Sequence, residues 1–178
     1  MTLTTDRLIL RPWCEDDAPE LYYYAKDPQV GPSAGWPVHT SVENSRQIIK
    51  DFLSDKYTFA VVLKQTNKPI GSIGLKTSKR SNLEFSENER ELGYWLGKEY
   101  WGQGLIPEAA NELIRFGFEE LNLNKIWCGY FEGNEKSKRV QEKCGFTFHS
   151  VVKDNFYGTD KNEYISLLTK EEWTIKTR

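Results

Sequence analysis

The chain has 178 residues, with 24 Lys and Arg against 26 Asp and Glu, a formal net charge of −2, and 38% hydrophobic residues. That length suits one domain with a sizeable core, and the near-balanced charge argues against a generic nucleic-acid binder. No run approaches the ~20 apolar residues of a membrane span, no signal peptide is expected at the start of the chain, and the scattered Cys14, Cys128 and Cys144 fit neither a metal nor a disulfide pattern, which points to a reducing, cytoplasmic setting.

Leu8, Leu10 and Pro12 alternate with Arg7, Ile9 and Arg11, which predicts a short first strand. Asp16 to Ala25 reads as a helix with an acidic start, and Asp27-Pro28 and Gly31-Pro32 then break the chain. Val30 to His39, with Trp36, reads either as a loop on the substrate side or as an ordinary surface connection. Ser41 or Thr40 caps a helix expected to run to about Ser54 and to bury Ile48, Ile49 and Phe52. Tyr57 to Leu63 is a strand, Thr66-Asn67-Lys68 a turn, and Pro69 to Lys76 its hairpin partner, where Gly71 and Gly74 suggest a bulge or a close contact. Lys79 to Asn88 is a polar, mobile loop.

The chain is organised around Glu91 to Ala110. In its first half Leu92, Tyr94 and Leu96 alternate with Gly93, Trp95 and Gly97, as in a half-buried strand. In its second half Pro107 and Glu108 mark a helix start. Ala110, Leu113, Ile114, Gly117 and Leu121 form one helical stripe, and Lys125 to Phe131 is the next strand. Strand, helix, strand over this length implies a parallel pair. Asn134 caps a short helix with Ser137, Val140, Gln141 and Cys144 on one face, and Gly145 ends it. Thr147 to Lys153 and Asn162 to Leu168 form a closing hairpin across Tyr157-Gly158-Thr159-Asp160. The fold class is α+β with a mixed sheet.

Between central strand and helix lies Trp101-Gly102-Gln103-Gly104-Leu105. Glycines at such a junction let the backbone turn sharply, and unpaired N–H groups at a helix start form an anion site, so the expected ligand is a phosphate or pyrophosphate. The same pattern also builds any tight strand-to-helix connection. It is neither a Walker A nor a G-x-G-x-x-G motif.

The run Tyr94-Trp95-Leu96-Gly97-Lys98-Glu99-Tyr100-Trp101-Gly102-Gln103-Gly104, followed by Glu108-Ala109, resembles the acetyl-CoA signature of the GNAT N-acetyltransferase superfamily, and more narrowly its RimJ/RimL-like branch, which acetylates ribosomal-protein N-termini. Thr5 to Pro12 resembles that branch's opening strand. Asn134 to Ser137, with Glu142 to Phe146, resembles its second CoA motif, and Tyr164 to Leu168 with Glu171-Glu172-Trp173 its close. The resemblance implies a GNAT (acyl-CoA N-acyltransferase) fold over residues 1–178: a mixed, mostly antiparallel sheet whose parallel central pair splays apart, flanked by helices.

Carried over by position, it implies that Trp95, Leu96 and Gly97 bind pantetheine and the acetyl carbonyl through main chain, and that Gly102, Gln103, Gly104, Leu105 and Ile106 surround the pyrophosphate. Trp101 stands where the wider superfamily has arginine, and Ile106 at its last small position. Asn134 is expected to hydrogen-bond the CoA arm, or to be a plain cap. Ser137 is the candidate acid for the departing thiolate, since Gln141 stands where many members carry a tyrosine; it is otherwise an ordinary helical serine. Glu91 is the first candidate base and Glu163 the alternative, with His149 and His39 behind them.

The cosubstrate implied is acetyl-CoA, without a metal. The partner is an amine acceptor, either a protein N-terminus or a small molecule such as an antibiotic, polyamine or amino-acid derivative. No nucleic acid or membrane contact is expected, and the chain is expected to be a monomer or homodimer. A non-catalytic acyl-CoA-binding regulatory module is the reading from another class, supported by Gln141.

Overall fold

The strands form where apolar residues alternate and the helices where they recur every third or fourth position. The structure is a computed structural model that describes residues 1–154 and 161–177. Its strands are β1 (Leu3–Thr4), β2 (Leu8–Arg11), β3 (Thr58–Leu63), β4 (Lys68–Lys76), β5 (Glu89–Leu96), β6 (Lys125–Phe131), β7 (Thr147–Asp154) and β8 (Lys161–Thr169). Its helices are α1 (Ala18–Ala25), α2 (Val42–Ile48), α3 (Leu105–Glu119), α4 (Glu135–Lys143) and α5 (Lys170–Thr177). Among the described residues the strands belong to one mixed sheet in the order β1-β2-β3-β4-β5-β6-β8-β7. The expected parallel pair is β5 and β6, in register from Glu89 opposite Lys125 to Leu92 opposite Cys128.

The chain divides into two compact units, Met1–Gly74 with Tyr94–Ala109, and Leu75–Gly93 with Ala110–Arg178. The first is built on the antiparallel run β1 to β4, with a bulge at Val61 and Val62 in the β3–β4 hairpin, as the glycines of β4 suggested. Its core gathers Trp13, Leu21, Ala25, Ile49 and Val62, with Trp36 and Trp95 packed against them. The second unit holds the parallel ladder and the β7–β8 hairpin. Its core includes Leu92, Leu113, Ile114, Phe118, Ile126 and Leu168. The turn expected at Tyr157 to Asp160 lies outside the described residues.

Several local expectations differ. Ser41 is the cap of α2, accepting from the Asn44 N–H at 3.0 Å, whereas Thr40 uses its own N–H on Asn44 Oδ1. The helix continues as a π-helical turn, Ile49–Leu53. The wider turn advances each residue by less than 100°, so the apolar stripe drifts: Ile49 stays buried, Ile48 is half-buried, and Phe52 is 63% exposed. Leu121 lies beyond the end of α3, where the chain turns at Asn122 (φ 53°) and Leu123 takes the buried position. The acidic start of α1 is a separate 3-10 turn, Glu15–Asp17. Strand β1 and helix α5 were not anticipated as elements; α5 is anchored by Trp173 against Phe118, with ring centroids 5.5 Å apart.

Candidate active site

The glycine loop lies in the first unit. Gly102 and Gly104 have φ of 77° and 73°, the left-handed region where a side chain is strained. The space around them is open: a Cβ at Gly102 would meet nothing within 4 Å, and one at Gly104 only Arg7 Nη2 at 3.7 Å. Backbone conformation, not crowding, is therefore what demands glycine here. Helix α3 begins at Leu105, so Pro107 is its third residue and still within the first turn, where its missing N–H is not needed. Among the described residues the N–H groups of Gly102, Gln103 and Gly104 make no backbone hydrogen bond. Those of Leu105 and Ile106, in the first helical turn, have no intrahelical acceptor. Leu105 and Ile106 are buried, which anchors the turn.

Arg7 and Glu108 brace this loop. Glu108 accepts from Thr5 Oγ1 at 2.5 Å, from the Arg7 N–H at 2.8 Å and from Arg7 Nε at 2.6 Å, while Arg7 Nη1 donates to the Gln103 carbonyl at 3.0 Å. Burial alone would raise the Glu108 pKa; the Thr5 and Arg7 donors outweigh it and hold the carboxyl below its ordinary range. The sequence reading missed this brace. Its one signal was the Thr5-Asp6-Arg7 run, which carries no local pattern of its own.

Trp95, Leu96 and Gly97 lead into the loop. The Gly97 N–H donates to the Ile70 carbonyl of β4 at 2.8 Å, and the Leu96 carbonyl accepts from Trp101 Nε1 at 2.8 Å. Because main-chain groups alternate between strand edges, the Leu96 N–H points to the edge opposite β4. Trp101, standing at the superfamily's arginine position, thus ties the strand end to the loop. The Trp95 ring stacks on Trp13 and meets the edge of Trp36, with centroids 6.2 and 5.7 Å apart. Trp36 brings the Val30 to His39 loop onto this strand. A Cβ at Gly97 would strike the Tyr24 ring, whose hydroxyl lies 3.3 Å from Glu99 Oε1.

The remaining site residues lie in the second unit. Asn134 caps α4: its Oδ1 accepts from the Ser137 N–H at 3.1 Å. Gly145 (φ 86°) ends the helix, with the Phe146 N–H on the Gln141 carbonyl and the Gly145 N–H on that of Glu142. Gln141 is 2% exposed, yet neither of its amide atoms has a hydrogen-bond partner among the described residues. Burial pushes the Cys144 thiol up to about 12, which leaves it protonated and inert.

Glu91 is buried and forms an ion pair with Lys76, Nζ to Oε1 at 3.1 Å. Glu163 acts on the same lysine electrostatically, so the two candidate bases share one cation. His39 belongs to the first unit, buried with Nδ1 2.8 Å from Ser45 Oγ, and burial pushes its pKa down. His149 is exposed and sits edge-on to Trp127.

Among the described residues no group of three or more His, Cys, Asp or Glu is arranged to hold a metal ion, and no helix is long and apolar enough to cross a membrane.

Residues 7–147 match the family profile described as Acetyltransferase (GNAT) domain. The chain is 33% identical over 159 residues to an uncharacterized N-acetyltransferase, p20, of Bacillus licheniformis, covering 86% of each chain. It is 40% identical over 95 residues to the provisionally named ribosomal N-acetyltransferase YdaF of Bacillus subtilis (strain 168), covering about half of each. The crystal structure of a GNAT-family acetyltransferase from Bacillus anthracis superposes with a TM-score of 0.84 at 25% identity, covering 96% of this chain and 99% of that one. A family match across most of the chain, on a mixed sheet whose parallel pair leads into a glycine loop at a helix start, has one consequence: this chain belongs to the GNAT family of N-acetyltransferases.

Proposed function

We propose that the chain transfers an acetyl group from acetyl-CoA to the N-terminal amine of a protein, as a RimJ/RimL-like enzyme of the cytoplasm, with residues 1–178 acting as a single acetyltransferase domain. The observation that carries the donor side is the pair Gly102 and Gly104, held in left-handed backbone just before the start of α3. Five N–H groups, from Gly102 to Ile106, suit a diphosphate, and the positive end of α3 adds to its attraction. The Leu96 N–H, on the edge of β5 away from β4 and beyond the last β5–β6 register pair, is the donor offered to the pantetheine arm, while Trp95 and Gly97 flank it. Asn134 supports the CoA arm from the start of α4.

The acceptor nitrogen attacks the thioester carbon, the C–S bond breaks, and the thiolate takes a proton. The attacking amine must first lose its own proton. At pH 7 that costs roughly 1.1 kcal/mol for an α-amino group of pKa ~7.8 and roughly 4.6 kcal/mol for a lysine of pKa ~10.4. A single carboxylate is a sufficient base for the former. Glu91 takes that role, and Ser137, at the first turn of α4, donates to the thiolate. A CoA thiol, with pKa near ~8.5, leaves readily, so the acid contributes less than the base.

The protein N-terminus is favoured over a small amine by the likeness to YdaF, named as a ribosomal N-acetyltransferase. The test is acetyl transfer from radiolabelled acetyl-CoA to a panel of ribosomal-protein N-terminal peptides, polyamines and aminoglycosides. Preferred transfer to peptide α-amines supports the reading, preferred transfer to the small amines overturns its acceptor, and CoA release that no acceptor stimulates overturns the enzyme.

A further inference from the structure

Lys76, the last residue of β4, was not singled out by any motif. Its ammonium lies 3.1 Å from Glu91 Oε1, and the side chains are 41% and 10% exposed. Bare backbone permits the contact: a Cβ at Gly93 would collide with Lys76 Cε. Gly129 on β6 makes the same allowance for Glu163, whose carboxylate fills the space that a Cβ would take. The partners of Lys76 thus come from two strands, Glu91 on β5 and Glu163 on β8, with the Cys128 thiol on β6 the remaining titratable neighbour. Burial opposes the charge on Lys76, yet the two carboxylates outweigh it and push its pKa above the ordinary lysine value. Along the same face Glu89 pairs with Lys125 at 3.6 Å, and His149 packs on Trp127, the register partner of Glu91.

A buried carboxylate is paired with a counter-charge, and it aims at a substrate proton only if its second oxygen is held. Lys76 provides both through one oxygen and leaves the other for the acceptor. Accordingly, we propose that Lys76 is the positioning residue of the base, holding Glu91 oriented for deprotonating the acceptor amine. This rests on the assignment of Glu91 as base made above. Glu163 favours the charged lysine in turn.

The experiment follows kcat/KM for the acceptor across about pH 5 to 9 in the wild type, Lys76→Met, Lys76→Arg, Glu91→Gln and Glu163→Gln, with Tm and acetyl-CoA affinity measured alongside. Loss of the ammonium makes the base easier to protonate, so Lys76→Met is expected to move the acid limb to higher pH by about one unit. That shift lowers kcat/KM about tenfold on the limb. Lys76→Arg should retain the wild-type limb, and Glu91→Gln should remove it. A lower Tm with an unmoved limb in Lys76→Met would reduce the pair to a structural ion pair and overturn the proposal. Removal of the limb by Glu163→Gln but not by Glu91→Gln would overturn it as well. Should Lys76→Met fail to fold, Lys76→Gln takes its place with the same expected shift. A wild-type protein that acetylates no amine overturns the functional reading first, an outcome distinct from an active enzyme whose profile ignores Lys76.

Discussion

Arg7 holds the glycine loop by two contacts at once: Nε lies 2.6 Å from Glu108 Oε2, and Nη1 donates to the Gln103 carbonyl at 3.0 Å. Its side chain is half exposed, so the pair contributes only about 1 kcal/mol to stability. For a domain of this size that corresponds to a Tm lower by roughly 2–4 °C in Arg7→Met. The larger effect is expected on acetyl-CoA, because an unbraced loop presents its amides less exactly. Calorimetric titration should show affinity falling about tenfold, or 1.4 kcal/mol.

Glu108 makes this brace pH-dependent. Its folded pKa lies below the unfolded value of ~4.3, so its stabilisation is complete above that value and is lost as pH falls through the folded pKa. Thermal melts of wild type and Glu108→Gln should differ at neutral pH and converge below about pH 4.

Gly102 separates backbone strain from crowding. A side chain there meets nothing, so Gly102→Ala carries only the left-handed penalty of about 1–2 kcal/mol. Asn tolerates that region better, so Gly102→Asn should melt closer to wild type than Gly102→Ala. Gly104→Glu adds charge and bulk beside the expected diphosphate and should abolish acetyl-CoA binding while the protein remains folded by circular dichroism.

Asn134 and Ser137 share a cap but not a role. Asn134→Ala removes the acceptor of the Ser137 N–H and should cost about 1 kcal/mol, read as a lower Tm. Ser137→Ala leaves that backbone contact in place, so it should lower kcat with little change in Tm or in acetyl-CoA affinity. Turnover equal to wild type would exclude the hydroxyl as the acid.

His39 gives the first unit an acid limit. It is buried with a lowered pKa, so the unfolded chain binds its proton more readily. Its stability contribution is intact above the unfolded value of ~6.5 and declines as pH falls from there toward the folded pKa. Wild type should lose Tm across that window, and His39→Gln should flatten the decline.

Gln141 is expected to behave as a liability in the free protein. Its two amide atoms are buried without partners among the described residues, and an unmet polar group costs about 1–3 kcal/mol. Gln141→Met, similar in length and apolar, should therefore raise the Tm of the ligand-free protein.

Much of the architecture was already written in local pattern. Alternation marked β6 at Lys125–Phe131 without error, Asn134 announced α4, and the glycine pair at Gly102 and Gly104 marked the tight turn into α3. Periodicity and turn chemistry act over a few residues, so they can be read from a few residues. Phe52 was misplaced because one π-helical turn shifts the phase of the stripe, and that turn has no spacing signal. The brace on the glycine loop joins Arg7 to Glu108, 101 positions apart, and the counter-charge of Glu91 comes from Lys76 on a neighbouring strand. Neither pair has a signature in one dimension. Each exists because folding sets two distant charges within 3.1 Å or less, and for Lys76 the bare backbone of Gly93 leaves room for the contact.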